Sequence, residues 1–185
     1  QKSALLACVL PGEGSTSVIA NLGICLAEKS GHTILLIDAN LRKPTLHKKF
    51  KINNNQGLTE VLTGTVPLSE ALQNISPSLS ILSTGRPVSE PVAVLGSGKM
   101  LDVLKEAEKK FELILVDCTN LKHHKDGVAI SSYLDGVILL VSEGRTRKEV
   151  LKAGIAPLEH NKVNCIGVIM NQRTFAIPKM IYERA

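Results

Sequence analysis

Apolar runs of strand length alternate with amphipathic stretches of helix length along this chain. Residues 3–9 (Ser-Ala-Leu-Leu-Ala-Cys-Val) and 33–38 (Thr-Ile-Leu-Leu-Ile-Asp) predict the first two strands. Residues 79–83, 113–117, 136–142 and 163–170 predict four more. These runs are continuous in Ile, Leu and Val rather than alternating, which suits strands covered on both faces in a parallel sheet. The gaps predict helices over 16–29, 91–110, 127–134 and 147–159, with Gly31 as a helix C-cap. In 91–110, Val94, Leu95, Leu101, Val103 and Leu104 are expected on the sheet side and the charged residues of 105–110 on the solvent side. Residues 41–91 read as irregular, rich in Asn, Ser, Pro and Gly, with short helices expected over 57–63 and 67–73. The βαβα order predicts an α/β fold: a doubly wound, mostly parallel sheet with helices on both faces.

Length and charge narrow this picture. The 185 residues suffice for one α/β domain over 1–185 and not for two. No apolar run approaches the ~20 residues of a membrane-spanning helix, so a soluble domain is expected. The chain opens on Gln1 almost directly at the first strand, without a signal peptide, and is expected to be part of a longer protein. Net charge is +5, concentrated at Arg42, Lys43, His47, Lys48, Lys49 and Lys51. That cluster can be a solvated face, or can meet nucleic acid, acidic lipid or nucleotide phosphates. An aromatic content of 3% leaves little for base stacking and argues against nucleic acid. Cys8, Cys25, Cys118 and Cys165 lie far apart, without CxxC spacing, and read as free thiols of a reducing cytoplasm.

Three polar signatures end three of the expected strands, where ligands of open α/β sheets lie. The first is Leu10-Pro-Gly-Glu-Gly-Ser-Thr-Ser17. Strand, glycine turn and helix form a phosphate-binding P-loop context: Gly12 and Gly14 permit an inward-turned nest of N–H groups, backed by the helix N-terminus. In such a loop a Lys follows the last Gly and reaches the β- and γ-phosphates. Here that residue is Ser15. The second signature is Asp38-Ala-Asn40-Leu-Arg42-Lys43-Pro44. An Asp ending a buried strand can hold a metal-bound water or activate a nucleophile, or simply cap a turn. The third is Leu113-Ile-Leu-Val-Asp117, the position of the Mg²⁺-side acid in P-loop proteins. Gly96-Ser-Gly-Lys99-Met lacks a preceding strand and is not a second P-loop. His123-His124 reads as solvent-exposed rather than metal-binding, and Cys118 as core.

Together these motifs resemble the cytoplasmic tyrosine-kinase domain of bacterial exopolysaccharide and capsule systems, within the partitioning and septum-site P-loop ATPases. The resemblance is carried by Pro11-Gly-Glu-Gly-Ser-Thr-Ser17 with Asn21-Leu-Gly, and by Leu35-Leu-Ile-Asp-Ala-Asn-Leu-Arg-Lys-Pro44. His47, Phe50, Gly57-Leu58, Leu62-Thr-Gly64, Leu82-Ser-Thr-Gly-Arg-Pro87, Ile114-Leu-Val-Asp117, Asp135-Gly-Val-Ile-Leu-Leu-Val141 and Gly167-Val-Ile-Met-Asn171 follow in the family's order. The resemblance implies ATP or ADP with Mg²⁺ held by Gly12, Glu13, Gly14, Ser15, Thr16, Ser17 and Arg42, with Asn171 and Arg173 near the adenine. In an active member Thr16 contacts Mg²⁺, Asp38 acts as base and Asp117 holds the metal's water shell. It also implies a membrane-embedded polysaccharide co-polymerase partner, or a membrane segment of the same protein, homo-oligomers, no nucleic acid, and a cytoplasmic place at the inner face of the membrane.

The departures from the pattern carry as much information. Ser15 replaces the loop Lys and Asn40 replaces the second acid of the second motif. Cys118-Thr119-Asn120 stands where the family has Thr-Pro-Pro, and of the two tyrosines only Tyr182 lies near the end, in place of a Tyr-rich tail. Loss of one preorganised charged donor costs roughly 3–4 kcal/mol in a phosphoryl-transfer site. The expectation is a regulatory domain of chain-length control and export, with weak or no nucleotide binding and impaired kinase activity. An active ATP-Mg tyrosine autokinase and a partitioning-type ATPase are the alternatives.

Overall fold

A computed structural model describes residues 2–172. Seven strands form one sheet: β1 (Ser3–Cys8), β2 (Ile34–Asp38), β3 (Leu72–Ser76), β4 (Leu79–Leu82), β5 (Leu113–Asp117), β6 (Gly136–Ser142) and β7 (Cys165–Asn171). Eight helices connect them: α1 (Ser15–Lys29), α2 (Leu46–Phe50), α3 (Leu58–Thr63), α4 (Leu68–Ala71), α5 (Pro91–Leu95), α6 (Lys99–Ala107), α7 (Asp126–Ser131) and α8 (Lys148–His160). The strand order is β3-β4-β2-β5-β1-β6-β7, and every neighbouring pair is parallel except β3 with β4. This is the expected doubly wound α/β fold.

The continuous apolar runs are explained by two cores, one on each face. Leu5, Ala7, Leu35, Ile37, Ile114 and Val116 pack with residues of α3, α5, α6, α7 and α8. Ala4, Leu6, Ile34, Leu36 and Leu115 pack on the other face with Ile19 and Ala20 of α1 and Leu46 of α2. Successive strand side chains point to opposite faces, so both sets along β1, β2 and β5 must be apolar. α1 ends as expected: the Ser30 N–H donates to the Leu26 carbonyl and Gly31 follows at φ +70°.

Three details differ from the sequence reading. Residues 67–73 make only the single turn α4 before the chain turns extended into β3, the one antiparallel strand. β3 lies at the sheet edge with Asn74, Ile75 and Ser76 exposed, so it carries no burial pattern to announce it. The helix expected over 91–110 is two helices, broken at Gly96-Ser-Gly98, where two glycines remove helix propensity. Its second half therefore rotates: Met100 is fully buried and Leu101, expected on the sheet side, is 38% exposed. The stretch read as irregular after residue 41 also holds α2, seated by Leu46. All four cysteines are free, with Cys8 and Cys118 buried and Cys25 and Cys165 exposed. Among the described residues no helix is long and apolar enough to cross a membrane.

Candidate functional site

Parallel pairing of β5 with both β1 and β2 places their carboxyl ends side by side. Asp38 and Asp117 are register partners, and the loop 9–14 leaves β1 at the same edge. Gly14 has φ +92° and opens α1; a Cβ there would stand 2.8 Å from Asn171 Nδ2. Gly12 lies at φ +81°. Both conformations strain any residue with a Cβ, so the nest depends on these two glycines.

The loop is held from beneath and from one side. The Glu13 carboxylate is fully buried and accepts the N–H groups of Val9 and Leu10 at 2.8 Å each and of Ser142 at 3.3 Å, together with the Thr146 hydroxyl. The resemblance put Glu13 at the nucleotide. Its side chain instead turns into the protein, because the buried amides at the end of β1 need an acceptor. Three successive loop carbonyls are capped from the β6–β7 end. Arg145 Nη2 donates to Pro11 O (3.1 Å), Gln172 Nε2 to Gly12 O (3.0 Å) and Asn171 Nδ2 to Glu13 O (2.8 Å). Asn171 is thus at the loop, and Arg173 lies outside the described residues. Arg145, Thr146 and Gln172 escaped the sequence reading, since no local pattern marks them. The signal available was their place just beyond the carboxyl ends of β6 and β7.

Ser15 and Thr16 open α1 over Asp117. Thr16 Oγ1 donates to Asp117 Oδ2 at 2.5 Å, and Thr45 Oγ1 to Thr16 Oγ1 at 3.3 Å. Ser15 is buried at the position of the missing Lys, and Ser17 is exposed on the first turn. Burial, and after it the Asp38 charge, raise the Asp117 pKa to about 7 against the opposing Thr16 and Ser15 hydroxyls. Asp117 Oδ1 is buried and has no hydrogen-bond partner.

Asp38 is differently employed. Oδ1 accepts the Asn40 N–H and Oδ2 the Leu46 N–H, both at 3.1 Å. It is fully buried, and burial lifts its pKa to about 6 against the pull of these amides. In this arrangement it caps α2. Asn40 Oδ1 accepts the Lys43 N–H at 3.0 Å, so the residue in the second acid's place shapes the turn. Arg42, expected at the phosphates, forms a bidentate pair with buried Asp126 (2.7 and 3.0 Å), which also accepts the Thr119 hydroxyl. A buried carboxylate left alone is costly, and that demand draws the guanidinium from the loop.

A cavity of about 680 Å³ opens among these elements, lined by Gly12, Ser15, Thr16, Asn40, Lys43, Lys49 and others. Its size suits a small ligand. The orphaned oxygen of Asp117 and the Thr16 hydroxyl form a hard-oxygen set that fits Mg²⁺. Among the described residues no group of three or more His, Cys, Asp or Glu could hold a metal ion. His123 is exposed, whereas His124, read as exposed, is half-buried, and both line this cavity.

A model of the family described as cellulose biosynthesis protein BcsQ matches residues 2–160. The tyrosine-protein kinase YwqD of Bacillus subtilis is 33% identical over 171 residues, 92% of this chain and 72% of that one. The chain belongs to the bacterial tyrosine-kinase family. The solved VpsO kinase domain superposes with a TM-score of 0.87 at 31% identity, covering 94% of this chain and 86% of that one. The septum site-determining protein MinD of Pyrococcus horikoshii, solved with Mg-ADP, has the same fold: TM-score 0.74, 24% identity, 91% of this chain and 69% of that one. The fold expected from the partitioning and septum-site ATPases is thus the fold of this chain. The chain spans only 22% of the length of two further tyrosine-kinase relatives.

Proposed function

We propose that this chain is a single regulatory kinase-like domain of an exopolysaccharide or capsule system, acting in chain-length control and export. Its relatives carry tyrosine-protein kinase in their names, and one of them is named for a cps region. The observation that carries the reading is Ser15. The loop keeps its glycines, its buried Glu13 brace and its three carbonyl caps, yet has a neutral side chain where the family has its cation. Nucleotide would be met by the N–H groups of Gly12 to Ser17, with Asn171 beside the loop. Thr16 and Asp117 would hold Mg²⁺, which when bound neutralises phosphate charge. Asp38 is committed to the amides of Asn40 and Leu46, which makes it a poor base. The domain therefore binds ATP or ADP weakly, phosphorylates little, and works by association with a membrane-embedded co-polymerase or a membrane segment of its own protein. It sits at the inner face of the membrane, forms homo-oligomers, and does not bind nucleic acid.

The second reading, an active ATP-Mg autokinase, draws support from the Thr16–Asp117 pair and the free Asp117 oxygen. Immunoblotting for phosphotyrosine, on protein made in a strain free of other tyrosine kinases, decides between them. The regulatory reading expects no signal. A signal lost in Asp38→Ala contradicts it and establishes the kinase. A partitioning-type ATPase is disfavoured by the Asn40-Leu-Arg-Lys-Pro44 run with His47, which follows the kinase pattern.

A further inference from the structure

The glycine loop has lost its cation, but the cavity it faces has not lost positive charge. Lys43 and Lys49 line that cavity together with Gly12, Ser15 and Thr16. Arg42, which also lines the cavity, is consumed by Asp126. Neither lysine pairs with an acid among the described residues. Lys49 is not loosely placed. It stands in α2, and the start of α2 is tied to the loop side by two contacts, the Leu46 N–H to Asp38 Oδ2 and the Thr45 hydroxyl to Thr16 Oγ1. The buried Leu46 fixes the helix on the sheet below. Two uncompensated ammonium groups and a nest of N–H groups thus share one concave space. Such a space concentrates anions, and the cations gain most from a ligand that lies between them and the loop.

Resting on the reading of this cavity as a nucleotide site, we propose that Lys49, assisted by Lys43, supplies from α2 the positive charge that Ser15 no longer supplies from the loop. The phosphate end of the nucleotide is then clamped between the glycine loop and α2. This differs physically from the usual arrangement. A loop Lys is preorganised by the nest, whereas Lys43 and Lys49 extend from exposed positions on long stems whose rotamer freedom is lost on binding. The clamp holds phosphate, but weakly and with marked salt dependence.

The test is a calorimetric titration of Mg-ATP into the wild-type chain, Lys43→Ala/Lys49→Ala, Ser15→Lys, and the triple variant. Both lysines are exposed, so circular dichroism melts should be unchanged and folding does not confound the result. Removing both lysines is expected to weaken binding by about tenfold or more in the wild-type background. In the Ser15→Lys background the same change should cost no more than about threefold, because the loop then carries its own cation and the two sources are redundant. Wild-type binding that is indifferent to both lysines overturns the proposal while leaving the nucleotide reading intact. An equal loss in both backgrounds also overturns it, since the lysines would then act as a general field. No binding by the wild type removes the nucleotide reading itself, and the proposal with it.

Discussion

The glycine loop and the second motif stand side by side at one sheet edge, and they have diverged in opposite ways. The loop keeps its scaffold and has lost its charge: Glu13, Arg145, Asn171 and Gln172 hold a backbone whose working side chain is now Ser15. The second motif keeps charge and has spent it on scaffold. Asp38 caps α2, Asn40 caps a turn, and Arg42 neutralises Asp126. Persistence of a motif's shape is therefore separable from persistence of its chemistry. The shape survives because buried polar groups need partners whether or not a reaction occurs.

The comparison breaks most sharply at Glu13. Glu13→Ala strands the Val9 and Leu10 amides at the base of the loop, Ser142 keeping the Thr146 hydroxyl, and is expected to cost about 3 kcal/mol. Urea denaturation measures this, and a loss below about 1 kcal/mol would mean that the loop is not braced as described. Arg42→Ala comes next. It leaves a buried carboxylate with only the Thr119 hydroxyl, for an expected loss of about 2 kcal/mol by the same measurement. Arg42→Lys should recover only part of it, because the ammonium cannot reproduce the two-pronged contact.

A smaller effect separates the two acids. In the folded state Asp117 holds its proton up to about pH 7, against an ordinary value of 3.8. The folded state thus binds more protons than the unfolded chain between about pH 4 and pH 7, and this group's contribution to stability falls as pH rises through that window. Asp117→Asn should flatten the slope and leave the variant about 1 kcal/mol more stable than wild type at pH 8. Asp38 is raised in the same direction, to about 6, so its slope has the same sign and ends at lower pH. Asp38→Asn should nevertheless destabilise at pH 8, since an amide has one accepting oxygen for the two N–H groups of Asn40 and Leu46. Urea midpoints at pH 5 and pH 8 test both, and parallel behaviour of the two variants would erase the distinction drawn here.

The central sheet was legible because β1, β2 and β5 are covered on both faces, which forces unbroken apolar runs. The edge strand β3 was not, because exposed positions such as Asn74 and Ser76 are under no such demand. The site was legible to the same depth. That Gly14, Asp38 and Asp117 meet at one edge follows from parallel strands ending in those residues. Which way each side chain turns does not. Glu13 and Arg42 look available in the sequence, but Glu13 is claimed by the Val9 and Leu10 amides with Ser142 and Thr146 from far along the chain, and Arg42 by the distant Asp126.

The most direct measurement is the affinity of the unmodified chain for Mg-ATP beside that of Ser15→Lys. An intact but uncharged loop predicts weak binding by the wild type and a gain of about tenfold or more from the lysine, with little recovery of phosphotransfer while Asn40 remains. Submicromolar affinity in the wild type, unchanged by the lysine, would contradict the account.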